Sequence, residues 1–323
     1  MTIEKSVLVP LDPDQTFALL TEPERLRRWQ GIAARVDLRA GGHYRWTVVP
    51  GNSSVGTYTE IEAGRRLVFT WGWEGPDGAA LSTSTVTITL EPAPGGTVVR
   101  LVHEGLSEAD DAGHLEGWEH YLERLVAAAT TGDAGYDGWM AASRTLDQLS
   151  AAEASLELCQ LMLRDLPPEA GALATPCPKF DLDGLVEHLT GSIVTLGEAA
   201  GATPRVSSGV PPEQIIADAA QSALEAWRRR GLDGTVNVPG ATLPAEVAAG
   251  ILTTELLVHA WDFAQATGRT LPADDALCDY VLERSRGFVN PDMRDGDFFA
   301  DEVPTSADAD AVSRLVAFLG RGA

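Results

Sequence analysis

The apolar period changes near residue 107, and that change limits what the chain can fold into. Before it, short runs alternate apolar and polar residues: IEKSVLV, GGHYRWTVV, GTYTEIE, RRLVFTWGW, TSTVTITLE and GGTVVRLVHE. Each is bounded by Gly, Pro or Asp, the punctuation of a meander of antiparallel strands. Two short helical segments, around PDQTFALL and EPERLRRW, fall between the first strand and the rest. One long helical run, SEADDAGHLEGWEHYLERLVAAAT, closes this half, with Leu115, Trp118, Leu122 and Leu125 expected on one face. After TTGDAGYDG, a Gly/Asp-rich linker, the strand signal almost disappears. Helical runs follow near 140–166, 181–199, 211–230, 243–267, 274–288 and 307–320, several of them separated by Pro-containing breaks. The pattern reads as two domains meeting near residue 135, a mixed α+β domain over 1–135 and an all-helical one over 136–323.

At 323 residues the chain is long enough for two such cores. Hydrophobic residues make up 44% and charged ones 22%, the balance of a globular protein. The net charge of −23 argues against binding nucleic-acid phosphates or an anionic membrane surface, both of which select Lys/Arg clusters. Cys159, Cys177 and Cys278 are odd in number and far apart, so neither a disulfide framework nor a thiolate zinc knuckle is expected. The start MTIEKSVLVPLDPDQ has no apolar leader, and no run approaches the roughly 20 residues of a membrane span. A cytoplasmic protein with reduced thiols is the expectation.

In the first half, Leu67, Phe69, Trp71 and Trp73 follow one another along a single strand face. Neighbouring strands add Tyr44, Trp46, Val99, Leu101 and His103. A curved sheet closing on a long helix through such side chains either packs solid or leaves a hollow, and the residues alone leave both open. If hollow, the site is an apolar cavity for a small hydrophobic molecule, lined by some of Trp46, Phe69, Trp71, Trp73 and Trp118. His103, Glu104, His114 and His120 are the titratable candidates; His103 reads as structural, while His114 and His120, on an acidic helix, read as solvated. Pro10, LTEPERLRRW, DLRAGGHYRW, GTYTEIEAGRRLVFTWGW, GGTVVRLVHEGL and GHLEGWEHYLERL occur in an order that resembles the AHSA1-like branch of the START/SRPBCC superfamily. The resemblance implies a helix-grip fold with a hydrophobic-ligand cavity. Relatives include ligand binders, polyketide cyclases and proteins that assist partners.

In the second half, residues 253–268 read TTELLVHAWDFAQATG. Leu252, Leu256, Ala260 and Phe263 form an apolar stripe, and Glu255, His259 and Asp262 fall on the same face. Unpartnered, such groups cost several kcal/mol to bury. Glu255 and His259 are one turn apart and can converge on one point, and both types ligate zinc and related divalent ions. His188, at the edge of the stripe in FDLDGLVEHLTGSIVTLG, offers a third ligand if the helices pack as a bundle. Three protein ligands leave a fourth position open, the arrangement of a catalytic metal. The competing reading is a Glu–His salt bridge with an unrelated surface histidine.

ATPCPKFDLDGLVEHLTG and the downstream TTELLVHAWDFAQATG resemble the N-terminal domain of mycothiol-dependent maleylpyruvate isomerase, of the DinB superfamily of metal-binding four-helix bundles. The resemblance spans roughly 140–290 and implies a DinB-like bundle with His188, Glu255 and His259 as metal ligands. Asp262 is then the acid of an HxxD motif, cast as the catalytic-site orienter of a ligand imidazole. Zinc is the expected ion, with nickel or iron also suited. Mycothiol, a low-molecular-weight thiol, is the implied cosubstrate. An anionic thiol in so acidic a chain calls for a local cation, and Arg284, Arg286 and Arg294 are the candidates. Cys177 reads as a buried structural cysteine. The competing functions are a non-enzymatic hydrophobic-ligand binder and a polyketide cyclase-like enzyme.

Overall fold

Alternating burial along the strands of the first half turns the sequence pattern into one curved sheet. The computed structural model describes residues 2–140, 146–294, 299–306 and 308–322, with the backbone alone over 108–111. It divides into two compact units, Met1–Asp137 and Gly138–Ala323.

The sheet unit runs β1 (Thr2–Val9), α1 (Pro13–Thr21), α2 (Pro23–Leu26), β2 (Ala33–Val36), β3 (His43–Val49), β4 (Asn52–Glu62), β5 (Arg66–Trp73), β6 (Ser84–Ala93), β7 (Gly96–Glu104) and α3 (Glu108–Thr131). Seven antiparallel strands lie in the order β1-β7-β6-β5-β4-β3-β2, so the first strand closes onto the last. Leu67, Phe69 and Trp71 are buried on one face of β5, as period-two alternation requires. α3 covers the sheet through Trp118, Tyr121, Leu122 and Leu125. This antiparallel sheet with its helices fits the helix-grip expectation.

Three expectations for α3 need correction. Leu115 is exposed, because the residue one turn before Trp118 is His114, which takes the inward position. His114 is not freely solvated: its Nε2 accepts from Trp71 Nε1 at 3.2 Å. Nor is His120, whose Nε2 lies 3.0 Å from both carboxylate oxygens of the buried Asp137.

The helical unit runs α4 (Gln148–Leu163), α5 (Leu182–Ala199), α6 (Pro212–Arg230), the hairpin β8 (Thr235–Val238) and β9 (Ala241–Pro244), α7 (Ala245–Thr267), α8 (Asp275–Phe288) and α9 (Ala311–Phe318). The hairpin escapes the helical reading of this half. Its strands are four residues each, too short to show a period. α4 packs on α6 and α7, and α5 packs on the same two, which closes a ring of four helices; α8 lies on α7 and α9 on α8. Gly197 permits the close α5–α6 approach, since a Cβ there would sit 2.8 Å from Ala223 Cβ. The Glu153–Arg228 pair, 2.6 Å at its shorter contact, ties α4 to α6. Arg269, just past α7, donates to the carbonyls of Leu161, Met162 and Arg164 at the end of α4. Among the described residues no helix is long and apolar enough to cross a membrane.

Candidate metal centre

α7 is buried on nearly every side, not along one stripe: Thr253, Thr254, Leu257, Val258 and Trp261 are as enclosed as Leu252, Leu256 and Phe263. The reason is its position in the ring, with α4, α5 and α8 around it. Its polar groups therefore need partners inside the protein.

His188 comes from the α5 side. The Asp181 side chain caps that helix by accepting from Gly184 N at 2.9 Å. Leu185, Leu189 and Ile193 bury the helix face, and the His188 ring stacks on Phe180 at 4.9 Å with the planes 19° apart. Across from it, the His259 ring stands edge-on at 5.3 Å. Glu255 lies between them. Its Oε2 is 3.4 Å from His188 Nε2 and 3.7 Å from His259 Nε2. One ligand atom from each of His188, Glu255 and His259 lies within 4.8 Å of the other two. The side chains are 37%, 19% and 4% exposed in that order, so the cluster opens on the His188 side.

The bonding behind the cluster is specific. His259 Nδ1 lies 2.8 Å from Asp262 Oδ2. An ionised carboxylate only accepts, so Nδ1 carries a proton, while Nε2 faces Glu255. Asp262 is wholly buried and receives the Arg321 guanidinium as a fork: Nε at 2.9 Å from Oδ1, Nη2 at 2.9 Å from Oδ2. Burial would raise both carboxyls. For Glu255 the two histidines outweigh it and hold the group well below the carboxylate range; for Asp262, His259 and Arg321 do the same. Burial would lower His259, but Asp262 and Glu255 reverse the shift and raise it.

Glu255 Oε2 is nevertheless a buried oxygen without a hydrogen-bond partner. Its two imidazole neighbours stand at 3.4 and 3.7 Å, in ion-pair range but without a hydrogen bond to it. With neutral imidazoles, Glu255 and Asp262 against Arg321 leave one net negative charge in the enclosed space. The donor set, the orphaned oxygen and that charge all suit a divalent cation.

Arg321 was not among the sequence candidates. Arg284 pairs with Glu246 at 2.9 Å and lies over Tyr280. Arg286 and Arg294 both lie over Phe318, and Arg294 also donates to the carbonyls of Ala300 and Phe318. Among the described residues, it is Arg321 that contacts the cluster, through Asp262. Cys177 is half-buried, not buried; burial raises its thiol, with Arg321 pulling it down and Asp262 and Glu255 pushing it up.

In the sheet unit the five expected ligand-lining residues form one aromatic cluster. Trp71 meets Trp118 at 5.4 Å, Trp73 at 5.8 Å and Trp46 at 6.0 Å, and Trp46 meets Phe69 at 5.5 Å between ring centres. Trp73 is half-buried and the other four are buried. A recess beside Trp46 measures about 10 Å³, room for roughly one water.

Residues 10–130 match the family described as Activator of Hsp90 ATPase homolog 1-like protein. The Mycobacterium tuberculosis proteins MT0763 (strain CDC 1551 / Oshkosh) and Rv0738 (strain ATCC 25618 / H37Rv) are each 31% identical over 180 residues, covering 54% of this chain and 98% of theirs. The chain belongs to the family of these two proteins, and its first unit is an AHSA1-like SRPBCC domain. A match of 180 residues is longer than the 137 of that unit, so the likeness reaches into the helical unit. Among solved structures, DynU16, a protein in the dynemicin biosynthetic locus, is 24% identical, with a TM-score of 0.38, over 42% of this chain and 50% of its own. MLL2253 from Mesorhizobium loti is 23% identical, with a TM-score of 0.38, over 41% of this chain and 99% of its own. CalU16 from Micromonospora echinospora is 28% identical, with a TM-score of 0.33, over 41% of this chain and 76% of its own.

Proposed function

We propose that the helical unit is a DinB-type centre in which His188, Glu255 and His259 hold one divalent ion, zinc foremost. The protein would then act as a transferase or isomerase that uses a low-molecular-weight thiol, mycothiol in the first instance. The observation that carries this reading is the buried Glu255 oxygen, without a hydrogen bond, set between two imidazole Nε2 atoms. When bound, such an ion supplies Lewis acidity that brings a thiol's pKa toward neutrality.

The chain's own residues do the rest. Asp262 holds the proton on His259 Nδ1, so Nε2 is the ring nitrogen left to ligate the ion. Glu255 contributes the anionic ligand, and His188, on the exposed side of the cluster, flanks the approach for a small molecule. Arg321 offsets the charge of Asp262. No protein nucleophile is called for. The AHSA1-like domain fits alongside this as the hydrophobic-ligand part of the protein, since SRPBCC domains bind small hydrophobic molecules. A polyketide cyclase-like activity of that domain is the second reading, favoured by the aromatic cluster on its sheet.

The test is calorimetric titration of the full chain with zinc, then with mycothiol, for the wild type, His259→Ala and Glu255→Gln. The wild type is expected to take one equivalent of zinc. His259→Ala should lose it while its far-ultraviolet dichroism stays the same, because the apolar faces remain. A wild type that stays metal-free under saturating zinc sinks the reading. A loaded protein that binds no thiol, beside a metal-free form that retains activity on an electrophile, sinks the thiol part alone.

A further inference from the structure

We propose that Arg321 is a positioning residue of the metal centre: through Asp262 it fixes the ring orientation and tautomer of His259. The proposal rests on the reading of His188, Glu255 and His259 as metal ligands. It adds a residue 59 positions from its partner in sequence, contributed by the turn after α9.

The geometry forms a chain of three groups. The guanidinium grips Asp262 with Nε at 2.9 and 3.2 Å from the two oxygens and Nη2 at 2.9 Å from Oδ2. A planar fork on a planar carboxylate leaves that carboxylate one orientation, which a single ammonium charge would not. In that orientation Oδ2 meets His259 Nδ1 at 2.8 Å. The ring is thereby held with Nδ1 protonated and Nε2 directed at Glu255.

Arg321 is itself held by backbone. Its N–H donates to Val316 O at 2.9 Å and that of Gly320 to Ala317 O at 3.0 Å, the paired bonds of a Schellman turn, with Gly320 at φ +83°. Nη1 donates to Leu319 O at 3.2 Å, so the guanidinium is anchored on the side away from Asp262. The side chain is only 12% exposed and Asp262 not at all, which shields the pair from water and salt. Neighbouring arginines do not duplicate it: Arg284 is engaged with Glu246, and Arg294 with Ala300 and Phe318.

The experiment uses the full chain as wild type, Arg321→Ala and Arg321→Lys. Zinc affinity is read by competition with a chelator, and the His259 tautomer by nitrogen NMR of the metal-free protein. Arg321→Ala is expected to weaken zinc binding 10- to 100-fold, the usual cost of losing an outer-shell partner. His259 should pass from the Nδ1–H form to a mixture. Arg321→Lys, which keeps the charge without the fork, should fall between the two and serves alone if Arg321→Ala does not fold. Unchanged affinity and tautomer would overturn the proposal, and so would an affinity loss with the tautomer unmoved, which marks a merely structural role. If the wild type binds no zinc, the metal reading fails, and the tautomer in the metal-free variants still decides whether Arg321 positions His259.

Discussion

His103 shows how a chemically suggestive pair can be structural. Its Nε2 is 2.7 Å from Ser84 Oγ, the spacing of a nucleophile and its base. Its Nδ1, however, faces Trp118 Nε1 at 3.0 Å, and an indole N–H can only donate. The histidine proton therefore sits on Nε2 and is donated to Ser84, which passes its own to Trp71 O at 3.0 Å. His103 is therefore not a base for this serine. Burial, with the nearby His114 second, lowers His103 from 6.5 to about 4. The folded protein thus holds this ring neutral where an unfolded chain would protonate it. Stability from this group is complete above pH 6.5 and is lost as pH falls toward 4, at up to about 1.4 kcal/mol per pH unit. Denaturant midpoints of the sheet unit at pH 7.5 and 5.0 should fall further apart for the wild type than for His103→Gln, whose amide can accept from Trp118 and donate to Ser84. Equal pH dependence in the two proteins would contradict the assignment.

Among the elements, the turn after α9 carries the most consequence per residue. Gly320 has φ +83°, and a Cβ there would lie 2.7 Å from both the carbonyl oxygen and the Cβ of Ala300. Gly320→Val should therefore cost at least about 1–2 kcal/mol from the left-handed backbone alone. It should also weaken zinc binding by displacing Arg321, as chelator competition would show; affinity equal to the wild type would mean the turn does not control the centre. What the sequence makes legible here follows element by element. Glu255, His259 and Asp262 share a helix, so spacing alone groups them. His188 is recoverable because its own helix has a clear stripe. Arg321 is not, because it lies beyond a short terminal helix and meets Asp262 only through the stacking of α9 on α8 and α8 on α7. Spacing speaks for neighbours within one element and is silent across a stack of three. The misplacement of Leu115 has a smaller cause: leucine and histidine occupy adjacent positions, and hydrophobicity favours the leucine while the partner of Trp71 is the histidine.

For the whole molecule, two units with separate cores mean that a ligand of one need not register in the other. Zinc at about 100 times its dissociation constant should stabilise the unit that binds it by about 2.7 kcal/mol. Hydrogen exchange read peptide by peptide should then slow up to about 100-fold in α5 and α7 and stay unchanged in β5, β6 and β7. Slowing spread evenly over both units, or confined to the sheet, would place the ion elsewhere. The aromatic cluster offers a different handle. Of the eight tryptophans, Trp46, Trp71, Trp73 and Trp118 meet ring to ring, with the centres of successive rings 5.4–6.0 Å apart. Indoles this close do not absorb independently; their electronic transitions mix, and the fixed angles between the rings give the mixture a handed sign. The near-ultraviolet dichroism of the chain is thus weighted toward the sheet unit, leaving the protein with an optical label of its own on one of its two halves.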